Sequence, residues 1–163
     1  MSQAPWRVAR LDASHERVAF DCGVPVLDRY LREQVNQDVR RRITACFVAL
    51  AEESRVIAYY TLASASLLLA DLPAEQIRRL PRYPTVPAVR LGRLAVDRSC
   101  AGQGLGGALL ADALLRAARS EIAAYALLVD AKDERAAAFY RHHGFLSLPD
   151  TPQLLFLPLA TVR

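Results

Sequence analysis

The chain has 163 residues, of which 53% are apolar, and a formal net charge of +4. This length suits one domain with a single hydrophobic core, and this apolar content excludes a disordered chain. No apolar run reaches the length of a membrane span, and we expect no export signal because no charged segment followed by an apolar stretch opens the sequence. Three cysteines, Cys22, Cys46 and Cys100, are scattered without metal-ligand spacing, which favours reduced thiols in a cytoplasmic protein.

The cationic residues are almost all arginines, since Lys132 is the one lysine among 21 lysines and arginines. Arginine binds phosphate bidentately and stacks on bases, whereas lysine acts as a point charge. A GC-rich genome also produces such a bias, but here the arginines are clustered. Arg40, Arg41 and Arg42 are consecutive, and the six arginines between residues 78 and 98 accompany a single acid, Asp97. This clustering indicates a polyanionic partner.

The first half of the chain predicts a strand, a helix and a hairpin. The strand is Arg7–Leu11, and Pro25 begins a helix of about four turns. Its core face repeats every four residues at Leu27, Leu31, Val35 and Val39. A polar stripe on the same helix follows spacings of three, four and four through Arg29, Arg32, Asn36 and Arg40. The β-rich segments Thr44–Ala51 and Val56–Ser64, joined by a polar turn at Glu52–Arg55, predict the hairpin.

The second half alternates helices and strands. A segment with four prolines, Leu72–Pro87, predicts a short helix around Ala74–Leu80 followed by an irregular crossing. The elements expected after it are a strand at Leu91–Val96, a helix at Leu105–Ala118, a strand at Ala126–Asp130, a helix at Glu134–His143 with Asp133 as N-cap and Gly144 as its end, and strands at Phe145–Leu148 and Leu154–Leu159. The order β-α-β-β-α-β-α-β-α-β-β predicts a mixed α/β layer fold built on one sheet.

A loop with four glycines, Gly102, Gly104, Gly106 and Gly107, separates the strand at Leu91–Val96 from the helix after it. This arrangement points bare backbone N–H groups and a helix N-terminus at an anion, usually a phosphate. A phosphorylated cofactor is therefore expected. A P-loop is excluded because no Lys-Ser/Thr pair follows the glycines, while a dinucleotide-binding fold stays open because Asp130 lies about twenty residues beyond the loop.

Three motifs carry a family resemblance. L-G-R-L-A-V-D, A-G-Q-G-L-G-G-A-L-L and V-D-A-K-D-E-R-A-A-A-F-Y-R-H-H-G-F resemble the GNAT N-acetyltransferase superfamily in order, spacing and chemistry, within a span from Val8 to Leu159. F-D-C-G-V-P-V-L-D-R-Y-L and A-Y-Y-T-L-A-S-A-S look more narrowly like the acetyltransferase toxins of bacterial type II toxin–antitoxin modules. The resemblance implies an α/β, single-domain GNAT (acyl-CoA N-acyltransferase) fold over residues 1–163, with a mixed, mostly antiparallel central sheet flanked by helices.

The resemblance also implies acetyl-CoA as cofactor and assigns residues to it. Tyr140 matches the general acid that protonates the departing coenzyme A thiolate. The matching cofactor-binding residues are Leu94, Ala95, Val96, Gly102, Gln103, Gly104, Leu105, Gly106, Gly107 and Asp133. In this set the strand would splay from its neighbour and offer backbone groups to the pantetheine arm, and the loop would hold the pyrophosphate. Ala101 departs from the family, which usually has Gln or Arg there, and Arg98 or Gln103 is expected to compensate.

Members of the toxin subgroup acetylate the α-amine of aminoacyl-tRNA and thereby inhibit translation. The resemblance therefore implies an aminoacyl-tRNA substrate, a ribbon-helix-helix antitoxin, a homodimer and a cytoplasmic location, without membrane or metal. The candidate tRNA-binding residues are Arg29, Arg32, Arg40, Arg41, Arg78, Arg79, Arg82, Arg90 and Arg93.

Two other functions stay open at this point. An N-acetyltransferase of a small amine or a protein N-terminus would have an acidic acceptor pocket, against which the arginine bias speaks. A non-catalytic partner in a repressor complex is the other alternative. No general base is assigned: His142 and His143 precede Gly144 at a helix end, where solvent-facing capping is expected, and His15 is an isolated candidate.

Overall fold

The structure is a computed structural model that describes residues 6–162. Its strands are β1 (Arg7–Arg10), β2 (Ala45–Leu50), β3 (Val56–Leu68), β4 (Thr85–Val96), β5 (Ala126–Asp130), β6 (Leu146–Leu148) and β7 (Thr151–Pro158). Its helices are α1 (Pro25–Arg29), α2 (Val35–Arg40), α3 (Ala74–Arg79), α4 (Leu105–Ala118) and α5 (Glu134–His142), and a π-helical turn, Tyr30–Gln34, joins α1 to α2. The strands form a seven-stranded sheet in the order β1-β2-β3-β4-β5-β7-β6.

The sheet is mixed and mostly antiparallel, as predicted. The β1–β2, β2–β3, β5–β7 and β6–β7 pairs are antiparallel, and the β4–β5 pair is parallel. The predicted order of strands and helices is confirmed. The described chain divides into two compact units, one with the residues up to Ala63 and Gly92–Asp112, the other with Ser64–Leu91 and the residues from Ala113. That the chain is a single domain stays a prediction.

The first unit packs the segment α1–π–α2 over a core of β2 and β3 side chains. Leu31 and Val35 are both 0% exposed, and Leu27 and Val39 pack against the same cluster from its edge. The predicted core face of this helix is therefore confirmed. The prediction of one continuous α-helix was wrong, because the π turn interrupts the helix.

The second unit has its own core beneath β4, β5 and β7. Residues Ala88–Leu91 pair in parallel register with Ala126–Val129, and Phe156 is fully buried in the same cluster. The irregular crossing predicted up to Pro87 was wrong, since β4 already begins at Thr85. Pro87 can lie within this strand because a proline lacks only the backbone N–H donor. Its carbonyl still accepts a 2.8 Å hydrogen bond from the backbone N–H of Tyr125.

Helix α5 begins at the predicted residue, Glu134, and ends at His142, one residue before the predicted end. The side chain of Asp133 accepts a 2.8 Å hydrogen bond from the N–H of Ala136, and Gly144 has φ +94°, a left-handed conformation that suits glycine after a helix. Strand β7 is longer than predicted and begins at Thr151 rather than Leu154. None of the helices within residues 6–162 is long and apolar enough to cross a membrane.

Candidate active site

The glycine loop has the backbone geometry that an anion site requires. Gly102 and Gly104 have φ +77° and +78°, and a Cβ added to either would meet no atom within 4 Å. The loop leads directly into the 14-residue helix α4, whose first-turn N–H groups, at Leu105–Gly107, have no partner inside the helix. The loop therefore combines open, side-chain-free backbone with a helix N-terminus, which is the geometry of a phosphate-binding site.

A buried carboxylate anchors the start of this loop. Asp97 is 7% exposed and accepts hydrogen bonds from Ser99 N at 2.9 Å, Ser99 Oγ at 2.7 Å and Asp21 N at 3.1 Å. Burial acts to raise the pKa of Asp97, but the hydrogen bonds from Ser99 and Asp21 outweigh it and lower the pKa below its usual value. The ionised carboxylate thus fixes the end of β4. Sequence reasoning missed this role, although Asp97 was the single acid among six arginines.

Arg98, the residue after Asp97, forms an ion pair with Asp21. Its Nε and Nη2 atoms donate to Oδ2 of Asp21 at 3.0 and 2.6 Å. The hydrogen bond from Arg98 is the main cause that lowers the pKa of Asp21. Because this guanidinium already has a carboxylate partner, the exposed Gln103 is the better candidate to compensate for Ala101.

The final residues of β4 expose little side chain. Ala95 is buried in the core of the first unit, whereas Leu94 and Val96 are half-buried. The N–H of Asp97 donates to the carbonyl of Ile57 on β3 at 2.8 Å, so the strand edge toward β3 is occupied at this point. That the backbone of residues 94–96 contacts pantetheine stays a prediction.

Tyr140 lies on α5 as a half-buried tyrosine among aromatic rings. The rings of Phe139 and Phe145 meet it edge-on, with centroids 5.2 and 5.5 Å away. Its hydroxyl has no hydrogen bond within the described residues. Burial raises the pKa of Tyr140 to about 12, so the phenol keeps its proton at neutral pH. The side chain can therefore act as a proton donor.

The other titratable candidates serve local structure. The carboxylate of Asp133 caps α5, and His142 and His143 are exposed, as predicted for residues at a helix end. His15 is buried, and its Nδ1 accepts a 3.1 Å hydrogen bond from the N–H of Asp12.

Eight of the nine candidate tRNA-binding arginines fall into two groups. Three have partners within the chain: Arg79 pairs with Glu75 at 2.9 Å, Arg90 with Asp130 at 3.6 Å, and Arg32 donates to the carbonyl of Phe20 at 2.8 Å. The acids that pair with Arg79 and Arg90 lie outside the segment in which the sequence showed only Asp97. Five have neither an ion pair nor a hydrogen bond among residues 6–162, and all five are exposed: Arg29, Arg40, Arg41, Arg78 and Arg82.

The ninth, Arg93, is half-buried against the ring of Tyr30. The polar stripe predicted on the first helix is interrupted, because its middle members Arg32 and Asn36 bond to neighbouring segments and the π turn breaks the α-helical spacing. The unpaired arginines are therefore the ones available to a polyanion.

The chain matches a known protein family, a curated relative and several solved structures. Residues 43–146 match the model of the acetyltransferase (GNAT) domain. The chain is 38% identical over 162 residues to a tRNA-acetylating toxin of Mycobacterium tuberculosis, covering 98% of this chain and 94% of the relative. It is similar to a solved structure of AtaT complexed with acetyl-methionyl-tRNAfMet, with TM-score 0.88, 32% identity and 96% of each chain covered. A tyrosine-to-phenylalanine mutant of the toxin AtaT, bound to the C-terminus of the antitoxin AtaR and acetyl-CoA, matches with TM-score 0.83 and 28% identity over 98% of this chain and 96% of that one.

Proposed function

This chain belongs to the GNAT family of acetyltransferases, and on that premise we propose that it is a toxin that acetylates the α-amine of aminoacyl-tRNA. As a member of the family it has the GNAT fold and is an acetyltransferase with acetyl-CoA as cosubstrate. The observation that carries the proposal for the acceptor is the 38% identity to a tRNA-acetylating toxin over 98% of the chain.

In this proposal the glycine loop and the end of β4 hold the donor. The backbone N–H groups of residues 102–107, together with the N-terminus of α4, bind the pyrophosphate. Gln103 supplies a side-chain contact, and the backbone at Leu94 and Val96 receives the pantetheine arm. Acetyl-CoA supplies an activated thioester carbonyl. Asp133 contributes as the N-cap that fixes the start of α5.

Tyr140 acts as the general acid. The neutral α-amine attacks the thioester carbonyl, a C–N bond forms, and the C–S bond breaks as the carbonyl re-forms. The proton on the Tyr140 hydroxyl passes to the departing sulfur, the proton lost by the amine passes to water, and the Tyr140 phenolate then regains a proton from water. Because burial raises the pKa of Tyr140, the phenol keeps its proton at neutral pH and has it available for the sulfur as negative charge develops there during C–S cleavage. Tyr140 thus protonates the leaving group late in the reaction.

No side chain is assigned as general base. The α-amine of an aminoacyl ester is less basic than a lysine amine, so much of it is neutral near pH 7. Catalysis then depends mainly on holding the amine and the thioester together and on protonation of the thiolate. The unpaired arginines Arg29, Arg40, Arg41, Arg78 and Arg82 contact the tRNA backbone, while Arg32, Arg79 and Arg90 first have to give up an internal partner.

The regulation proposed for the protein follows from its relatives. Acetylation of aminoacyl-tRNA removes a charged tRNA from translation, and a cognate ribbon-helix-helix antitoxin neutralises the toxin. The AtaT structure that carries the C-terminus of the antitoxin AtaR supports this proposal. In this proposal the toxin acts as a homodimer in the cytoplasm.

The acceptor is tested by identifying the product. Purified protein is incubated with acetyl-CoA and bulk charged tRNA, the RNA is digested with ribonuclease, and the terminal adenosine conjugates are analysed by mass spectrometry. The proposal predicts N-acetyl-aminoacyl-adenosine. Acetylation of free amines or of peptide N-termini, with unmodified aminoacyl-adenosine, would contradict it.

A further inference from the structure

Arg93 and Tyr30 form a close cation–π pair. The Cζ atom of Arg93 lies 3.4 Å from the centroid of the Tyr30 ring. Arg93 is half-buried as a residue, and its guanidinium has no hydrogen bond or ion pair within residues 6–162. One face of the cation is therefore covered by an aromatic ring, while its N–H groups have no acceptor in the described chain.

The ring beneath Arg93 is itself fixed. Tyr30 is 3% exposed, and its hydroxyl donates a 2.7 Å hydrogen bond to Oδ2 of Asp38 on α2. Tyr30 is also the first residue of the π-helical turn, and π turns inside α-helices are frequent at functional sites. The helix geometry and the hydrogen bond together hold the ring in one position.

This arrangement prepares the guanidinium for an anion. A partly desolvated charge is costly unless it is paired, and the stacked face offers only part of that compensation. The donors of a guanidinium lie in its plane, so stacking leaves them directed outward at its edge. A phosphate accepts two such donors at once.

We propose that Arg93 binds a phosphate of the nucleic-acid acceptor, and that Tyr30 and Asp38 are positioning residues for this contact; the inference rests on the proposed function. Nucleic acid is favoured over coenzyme A as the source of the phosphate because the glycine loop already offers the coenzyme an anion site. Arg29, which is exposed and unpaired among residues 6–162, ends α1 directly before the π turn and adds positive charge to the same helical segment.

The contact is tested by measuring Kd for uncharged bulk tRNA at several KCl concentrations and Kd for acetyl-CoA separately. Arg93→Gln should weaken tRNA binding about tenfold at low salt and lower the salt slope by about one, with Kd for acetyl-CoA unchanged. Arg10→Gln is the matched control, because Arg10 lies over the ring of Phe47 at 5.6 Å without a proposed role. It should bind tRNA like the wild type.

The positioning role is tested with Tyr30→Phe, which keeps the ring and releases it from Asp38. It should weaken tRNA binding about threefold, and this loss should vanish when Arg93 is already Gln. Tyr59→Phe is the control, since the Tyr59 hydroxyl makes an equally short buried hydrogen bond, 2.7 Å to the carbonyl of Leu27. It should leave tRNA binding unchanged.

Three results would overturn the inference. Arg93→Gln could bind tRNA like the wild type, or it could lose affinity for acetyl-CoA only, which would assign the phosphate to the coenzyme. Tyr30→Phe and Tyr59→Phe could also change the affinity for tRNA equally. Failure of the proposed function has a different signature. A wild-type protein that binds tRNA but transfers no acetyl group to its charged form contradicts that function alone, because the binding measurements use uncharged tRNA.

Discussion

The backbone N–H of Asp21 donates a 3.1 Å hydrogen bond to the buried carboxylate of Asp97, from a position 76 residues earlier in the chain. Arg98, the next residue after Asp97, in turn pairs with the side chain of Asp21. The segment before α1 is thereby tied to the end of β4, immediately before the glycine loop. The proposed donor site depends on this connection for its backbone geometry.

Asp97→Asn should loosen the loop and destabilise the fold. The amide lacks the charge that holds three hydrogen bonds, and leaving buried donors poorly satisfied costs about 1–3 kcal/mol. The free energy of unfolding should fall by that amount at pH 7, and Kd for acetyl-CoA should rise. Because the folded pKa of Asp97 is lowered, its stabilising contribution is present above the usual value of 3.8 and is lost as pH falls through the folded pKa.

Denaturant unfolding at neutral pH and near pH 3 measures both effects. The difference between wild type and Asp97→Asn should shrink at the acidic pH, while the exposed Asp150→Asn serves as a control with no difference at either. An Asp97→Asn protein with wild-type stability at neutral pH would show that the carboxylate does not anchor the loop.

Gly104→Ala should weaken acetyl-CoA binding more than it affects stability. At φ +78° a Cβ costs about 1–2 kcal/mol, and it would stand in the open space above the loop where the phosphate is proposed to bind. Gly23→Ala is a matched control, because Gly23 has φ +89° and is equally free of neighbours within 4 Å. Titration calorimetry with acetyl-CoA should show reduced affinity for Gly104→Ala alone; equal affinities in the two variants would remove the loop from the donor site.

Tyr140→Phe should lower kcat by about 10²–10⁴-fold, the usual contribution of a general acid, with Kd for acetyl-CoA unchanged. Tyr125→Phe is the control, since Tyr125 is also half-buried and stacked on a phenylalanine, Phe156. Steady-state kinetics of the two variants compare a proposed acid with a packing tyrosine. A kcat for Tyr140→Phe equal to that of Tyr125→Phe would assign Tyr140 to packing.

The pH profile should lack an alkaline limb. Burial raises the pKa of Tyr140 to about 12, so its acid form persists well above pH 10, where an ordinary tyrosine ionises. Initial rates between about pH 6 and pH 9.5, corrected for ester hydrolysis, should rise with deprotonation of the substrate amine and then stay level. A decline of kcat before about pH 9.5 would mean that a more acidic group is the proton donor.

Reversing the charge of Arg29 and Arg40 together should weaken tRNA binding and reduce its salt dependence. Both are exposed and unpaired within the described residues, and each lost phosphate contact lowers the salt slope by about one. Filter binding across KCl concentrations should separate this variant from the control Arg7→Glu/Arg119→Glu, which changes the net charge equally. If the salt dependence of tRNA binding were identical in the two double variants, the loss of affinity would be due to net charge alone.

The sequence predicted the elements with regular signals and the candidate residues with a strong motif. Helix α4 has the predicted bounds, and Asp133 caps α5, because apolar periodicity and capping are local properties. Two features escaped prediction. The position of Pro87 inside β4, where its carbonyl accepts a hydrogen bond from the N–H of Tyr125, involves a partner distant in sequence. The π turn at Tyr30–Gln34 has no signature in residue spacing.

The same limit applies to the candidate site. The glycine loop could be predicted because closely spaced glycines between a strand and a helix are typical of a phosphate-binding loop. Two of these glycines have the expected positive φ. The anchor at Asp97 and the engagement of Arg98 required the fold, since Asp21 is remote in sequence. Counting arginines could not tell Arg90, which is paired with Asp130, from Arg82, which is not.

The most direct measurement is transfer of radiolabelled acetyl from acetyl-CoA to bulk tRNA in charged and deacylated forms, with Tyr140→Phe in parallel. The proposed function predicts label in charged tRNA only, and a sharp fall in the Tyr140 variant. No label in charged tRNA, from protein that still binds acetyl-CoA, would contradict the proposed acceptor and point to a small amine or a protein N-terminus in its place.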